Sequence, residues 1–185
     1  TYFIDIGNSS TQYCLYKNNK RMTVHQVPTD TVDEAYVNKQ FKNAHCIICS
    51  VVPTKDLLFE ALSTCVLITK DNLPGITINM HRPEDVGADR LVNALAAYTQ
   101  YEGPCLIIDS GTAVTFCVVD KAGTYQGGAI FPGFKIASHA LNYYTAKIPL
   151  IHVTEQEKIM GKTTKEAVEI GLFHGYIHMI NGMIS

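Results

Sequence analysis

Two segments of the chain pair a carboxylate with glycine and small hydroxylated residues. The first is DIGNSST, Asp5 to Thr11. An Asp at a strand end, followed by Gly7 and then Asn8, Ser9, Ser10 and Thr11, makes a tight turn in which backbone N–H groups and hydroxyls can surround a phosphate. Asp5 is suited to Mg²⁺, mostly through water, because that ion takes few carboxylates and keeps its hydration. The second is DSGTAVT, Asp109 to Thr115. At an offset of 104, Ile4, Asp5, Gly7 and Thr11 match Ile108, Asp109, Gly111 and Thr115. One such turn alone reads as an ordinary Asx turn. Two copies in one chain favour a cleft that grips a nucleotide phosphate tail from both sides. There is no GxxxxGK[ST] and no GxGxxG, so neither a P-loop nor a dinucleotide fold is indicated.

A third segment is VGADRLVNALAAY, residues 86–98. Leu91, Leu95 and Tyr98 recur at helical spacing. Gly87 supplies a turn, Asp89 falls near the helix N-terminus, and Arg90 follows. Asp89 reads either as a helix cap or as a general base, and Arg90 as a clamp on a substrate carboxylate or amide. In QGGAIFPG (126–133) the Gly127–Gly128 pair permits close backbone approach, and Pro132–Gly133 opens a helix. GKTTKEAVEIGLFHGYIHM (161–179) reads as a helix with a threonine-rich start, where Thr164 can cap or meet a ligand. His174 and His178 share a face at metal-capable spacing, but no third ligand accompanies them. Cys46-Ile-Ile-Cys49 lies in a strand, where positions i and i+3 face opposite sides, so it reads as structural.

These residues need elements to hold them. The pattern predicts strands at 2–6, 11–17, 22–27, 45–51, 65–69, 105–109, 113–119 and 124–130. It predicts helices at 31–43, 54–63, 88–101, 133–145 and 163–184. Turn signals stand at Asn18–Lys20 and Ala122–Gly123. Hairpins beside βα units give an α/β fold of two related halves, each a mixed sheet flanked by helices. The halves are residues 1–103, with the phosphate loop, and 104–185. Only 76 residues follow Asp109, fewer than the 104 that separate it from Asp5. A further strand and helix are therefore expected to complete the second half.

Composition narrows the class. The chain has 185 residues, 46% hydrophobic and 17% charged, too apolar for disorder. Its formal net charge of −2 ranks nucleic-acid binding low. No apolar run reaches the roughly 20 residues of a membrane span. Thr1 leads into a strand pattern with no basic n-region, so no signal peptide is expected. Six cysteines sit mostly inside apolar runs, as in a reduced, cytoplasmic protein.

Together DIGNSS (5–10), GADR (87–90), DSGTAVT (109–115) and GGAIFPG (127–133) resemble type III pantothenate kinases, of the acetate and sugar kinase/chaperone/actin superfamily. The resemblance implies duplicated ribonuclease-H-like, actin-like ATPase halves. It also implies ATP-dependent phosphorylation of pantothenate, the first step toward coenzyme A, in a homodimer with active sites near the subunit interface. By position, Asp5, Ile6, Gly7, Asn8, Ser9, Ser10, Thr11 and Gln12 are similar to the family's ATP phosphate loop, with Thr112 as counterpart. Gly87, Ala88, Asp89 and Arg90 match the pantothenate-binding turn, with Asp89 as proton acceptor. Asp109 matches a monovalent-cation ligand for K⁺ or NH₄⁺, and Thr164 a substrate-contacting threonine.

The chain departs from the family at two places. Met80 stands where many relatives carry a substrate-contacting Tyr. Ser9 stands where Thr is common, which keeps the hydroxyl. Family members normally continue past the equivalent of residue 185, which leaves the adenine contacts unassigned. Two other readings use the same scaffold: an actin-like ATPase, which needs large extra subdomains, and a non-catalytic regulator, which is favoured when Asp5, Asp89 or Asp109 is missing.

Overall fold

The computed structural model describes every residue from Thr1 to Ser185 except Asn19. The chain forms two mixed sheets flanked by helices. By contact it divides into two compact units. The first is Thr1–Ile107 with Phe116–Gly128; the second is Ile108–Thr115 with Ala129–Ser185.

In the first unit, β1 (Tyr2–Ile6), β2 (Ser10–Lys17) and β3 (Lys20–Pro28) form an antiparallel meander. Helix α1 (Glu34–Phe41) crosses over to β4 (Cys46–Ser50), and α2 (Pro53–Glu60) to β5 (Cys65–Leu67); β4 and β5 run parallel to β1. The strand order is β3-β2-β1-β4-β5. Strand alternation sends Ile4, Ile6, Tyr13, Cys46 and Ile48 into a core with Val37, Phe41 and Phe59. Phe41 takes the rings of Tyr2 and Tyr13 edge-on, each at 5.2 Å. Helix α1 starts where Asp33 Oδ1 accepts the Tyr36 N–H at 2.7 Å, and α2 where Pro53 occupies the first turn.

The second sheet has the order β6-β9-β8-β7, from β6 (Thr77–Ile78), β7 (Cys105–Ser110), β8 (Ala113–Val119) and β9 (Thr124–Pro132). Helix α3 (Ala88–Tyr101) buries Leu91 and Ala94 in a cluster with Val86, Cys117, Val119 and Tyr125. It ends at Glu102, which adopts a left-handed backbone (φ 55°), and Pro104 bars its continuation. The β8–β9 turn is an Asx turn: Asp120 Oδ1 accepts the N–H groups of Ala122 and Thr124, and Gly123 takes φ 77°.

The second unit adds α4 (Phe134–Tyr144) and α5 (Thr164–Ile184). The rings of Phe134 and Tyr176 pack at 4.3 Å, and the Tyr176 hydroxyl donates to the Pro132 carbonyl. Buried Ser138 donates to the Ile151 carbonyl at 2.7 Å and accepts the Ile151 N–H at 2.9 Å, which ties the segment after α4 to the helix.

All eight predicted strands and five predicted helices are present, with bounds shifted by up to three residues. Helix α1 starts later than its apolar pattern because a 3-10 turn occupies Thr29–Thr31. Strand β6 was not predicted: two residues carry no period. The turn signal at Asn18–Lys20 includes Asn19, outside the described residues.

Candidate phosphate and substrate site

The first turn is set by β1 and β2. Asp5 stands opposite Gln12 across the antiparallel pair and opposite Cys49 across the parallel one. The Gly7 N–H donates to the Ser10 carbonyl at 3.1 Å, closing the turn with Asn8 and Ser9 exposed at its tip. Thr29 braces it from beneath. Its hydroxyl donates to the Gly7 carbonyl at 2.6 Å and lies 3.0 Å from the Thr11 hydroxyl, and its N–H donates to the Ser9 carbonyl at 3.2 Å. Ile6 and Thr11 are sealed in the core, so what they present to a ligand is main chain. Thr29 was missed by sequence reasoning. Its only signal was a threonine next to Pro28, in a segment with no glycine to draw attention.

Helix α3 begins against the end of β4. Gly87 is its N-cap, and no side chain caps the helix. A Cβ at Gly87 would lie 2.5 Å from Asp89 Oδ1 and 3.4 Å from Val51 Cγ1, so glycine lets the turn sit against the strand end. Asp89 is thus inside the first turn rather than at the cap; its Oδ1 accepts the neighbouring Arg90 N–H, at 2.7 Å. Burial, then the charges of Asp5 and of Asp89, push the Cys49 thiol up to about 12. Asp5, Gln12 and Cys49 line a cavity of about 270 Å³ with Arg21 and Val92 on that face of the sheet. Cys46, three residues earlier, faces the core on the other side.

Arg90 is half-buried. Its Nε donates to Cys117 Sγ at 3.2 Å, and its guanidinium carbon lies 5.7 Å from the centre of the Tyr125 ring. The Tyr125 hydroxyl donates to the same sulfur at 3.5 Å. Burial opposes the Arg90 charge, but the hydrogen bond to Cys117 and the nearby Tyr125 and Asp89 hold its pKa above the ordinary value. Met80 packs its sulfur against Gly127, where a Cβ would approach to 3.0 Å.

In the second unit the Gly111 N–H closes the other turn on the Ala113 carbonyl at 2.9 Å. The Gly133 N–H donates to the Thr112 carbonyl at 2.9 Å, and a Cβ on Gly133 would collide with the Gly111 and Thr112 carbonyl oxygens. Asp109 is exposed near the end of β7. Ser110 and Gly111 line a groove of about 540 Å³ with Lys135, His139 and His152. Thr164 is the first residue of α5, exposed beside the cap, where Thr163 accepts the Glu166 N–H at 3.1 Å and Glu166 accepts the Lys162 N–H at 2.8 Å. His174 Nε2 is 2.8 Å from the Lys158 carbonyl oxygen, while His178 is exposed. Among the described residues no three His, Cys, Asp or Glu side chains gather as a metal site. Asp5 and Asp109 offer single hard oxygen ligands, a donor set that suits Mg²⁺ or a monovalent cation completing its shell with water and phosphate.

Two mixed sheets flanked by helices, each with an Asp-x-Gly turn at a strand end, define the duplicated, actin-like ATPase class of kinase folds. The sequence profile of type III pantothenate kinase matches residues 2–185. The chain belongs to that family. The type III pantothenate kinase of Persephonella marina is 38% identical over 200 residues, covering 98% of this chain and 78% of the relative. That of Shouchella clausii is 36% identical, with the same coverage. That of Methylacidiphilum infernorum is 36% identical, covering 98% of this chain and 69% of the relative. Among solved structures, a protein described as a Baf family transcriptional activator from Campylobacter jejuni shares the fold. Its TM-score is 0.67 at 18% identity, covering 99% of this chain and 79% of that one. No described helix is long and apolar enough to cross a membrane.

Proposed function

We propose that this chain transfers the γ-phosphoryl group of ATP to the primary hydroxyl of pantothenate, giving 4'-phosphopantothenate in the first step of coenzyme A biosynthesis. The family match over residues 2–185 supports the reaction. The observation that supports the residue assignment is that β1 sets Asp5 opposite Cys49 of β4, while Gly87 at the start of α3 sits against Val51 just beyond the end of that same strand. The transfer is direct and in-line, so positioning and charge neutralisation dominate.

Asp89 accepts the proton of the attacking hydroxyl. Arg90 grips the pantothenate carboxylate or amide, with Gly87 and Ala88 shaping the turn around it and Thr164 contacting the substrate. Met80, at the family's Tyr position, offers van der Waals contact in place of a hydroxyl. The main chain of residues 5–12 and Thr112 hold the phosphates. Mg²⁺ at Asp5 and K⁺ or NH₄⁺ at Asp109 offset phosphate charge when bound.

Residues 1–103 and 104–185 are the two duplicated halves, and the chain acts as a cytoplasmic homodimer without nucleic acid or membrane. All six cysteines are free, which suits a reducing compartment. The test is a coupled assay of ADP release. Release that requires pantothenate supports the reading. Release at the same rate without it would make the protein an ATPase.

A further inference from the structure

Arg90 does not act from a free helix surface. Its head group is held by two residues, 27 and 35 positions further along the chain, on β8 and β9. Cys117 is buried, 2% exposed, and its sulfur receives two donors: Arg90 Nε at 3.2 Å and the Tyr125 hydroxyl at 3.5 Å. Tyr125 is fully buried and places its ring 5.7 Å from the Arg90 guanidinium carbon. An arginine normally spreads over many rotamers, and fixing such a side chain costs entropy each time a ligand binds. Here that entropy is lost on folding instead. The bond to Cys117 uses Nε, on the flank of the guanidinium fork, so the outer Nη edge keeps the geometry that receives a carboxylate bidentately.

We infer that Cys117 and Tyr125 are positioning residues for Arg90: the sulfur and the ring aim the guanidinium so that it meets the substrate's anionic or amide end already oriented. This rests on the reading of Arg90 as the substrate clamp. Neither residue touches the reacting atoms. Their effect falls on pantothenate affinity and not on phosphoryl transfer.

The experiment is steady-state kinetics on Cys117→Ala, Cys117→Ser and Tyr125→Phe, alone and combined with Arg90→Ala. Cys117→Ala removes the acceptor, and Tyr125→Phe removes only the hydroxyl. Each is expected to raise the KM for pantothenate by no more than about three- to tenfold, the size of one ordinary hydrogen bond, with kcat and the KM for ATP nearly unchanged. Cys117→Ser, which keeps an acceptor, is expected to recover most of the loss. In the Arg90→Ala background, Cys117→Ala is expected to add nothing, because the residue it positions is gone. An equal rise in both backgrounds would make Cys117 a general structural residue and overturn the inference, as would a fall in kcat with KM unmoved. An unchanged pantothenate KM in Arg90→Ala itself would remove the clamp assignment on which the inference stands.

Discussion

Asp5 of β1 lies directly opposite Cys49 of β4 in the parallel register, and the Cys49 thiol is pushed up to about 12 from an ordinary 9.0. Burial is the larger cause, and the two carboxylates add to it. The folded protein therefore keeps this proton at pH values where the unfolded chain has released it. The stability it contributes is complete below about pH 9 and is lost as pH rises toward about 12. Cys46 and Tyr13 are likewise raised to about 12, chiefly by burial; Cys46 acts in the same window, and Tyr13 from its ordinary 10.0 upward. Melting temperature is expected to fall from about pH 9 upward, and less steeply in Cys49→Ala. Parallel slopes for the two proteins would show that Cys49 is not held protonated.

Gly133 tests the second turn. Its N–H holds the Thr112 carbonyl, and a side chain there would push against the Gly111 and Thr112 carbonyls. Overpacking costs about 1–3 kcal/mol, and here it falls on the turn assigned to ATP. Gly133→Ala is expected to raise the KM for ATP about tenfold, with pantothenate KM nearly constant. Gly128→Ala, whose Cβ would strike the Phe116 carbonyl between β8 and β9, is expected to lower the melting temperature without that selectivity. Equal changes in both Michaelis constants for Gly133→Ala would detach this turn from the nucleotide.

Much of this arrangement was legible in the sequence because it is periodic or punctuated. Alternation marks Ile4 and Ile6, helical spacing marks Leu91 and Tyr98, and Asp-x-Gly turns mark both loops. What was not legible was made by register. Nothing in the string links Asp5 to Cys49, which are brought opposite each other by a crossover through α1. Nothing links Arg90 to Cys117 and Tyr125, which meet it because α3 packs on the second sheet. Thr29 was hidden for the same reason. Whether Asp89 is a cap or a base was also open, since either role places an Asp at a helix start. The structure puts Gly87 at the cap and Asp89 inside the first turn.

Asp109 is the proposed ligand of a monovalent cation. Activity is expected to be high in K⁺ or NH₄⁺ and low in Na⁺ or Tris alone, and Asp109→Asn is expected to flatten the difference. Initial rates in matched ionic strength check this. Identical rates in all four buffers would refute the assignment.

Helix α5 bears on assembly. Val168, Leu172, Tyr176 and Ile180 recur at helical spacing and are half-buried, and the Tyr176 ring packs on Phe134. Ala167, Gly171 and Gly175 repeat every four residues on an exposed face, and a Cβ on either glycine would meet nothing within 4 Å. If the homodimer forms along this face, Gly175→Leu is expected to yield a monomer by light scattering with unchanged helical circular dichroism. A dimer that survives the substitution places the interface elsewhere.

Asp89→Asn separates catalysis from helix stabilisation. As an uncapped first-turn carboxylate, Asp89 favours the helix N-terminus by about 0.3–1 kcal/mol, so its loss is a small structural change. The Asn side chain can still accept the Arg90 N–H that Asp89 Oδ1 accepts at 2.7 Å, so the local geometry is retained. What it cannot do is take a proton from the substrate hydroxyl. General-base catalysis is typically worth about 10²–10⁴-fold, and kcat is expected to fall by that amount. ATP binding is expected to persist, because the main-chain donors proposed to hold its phosphates lie in residues 5–12. A variant with nearly full turnover would leave Asp89 as a helix-dipole partner and move the search for a base to Asp5 or Asp109.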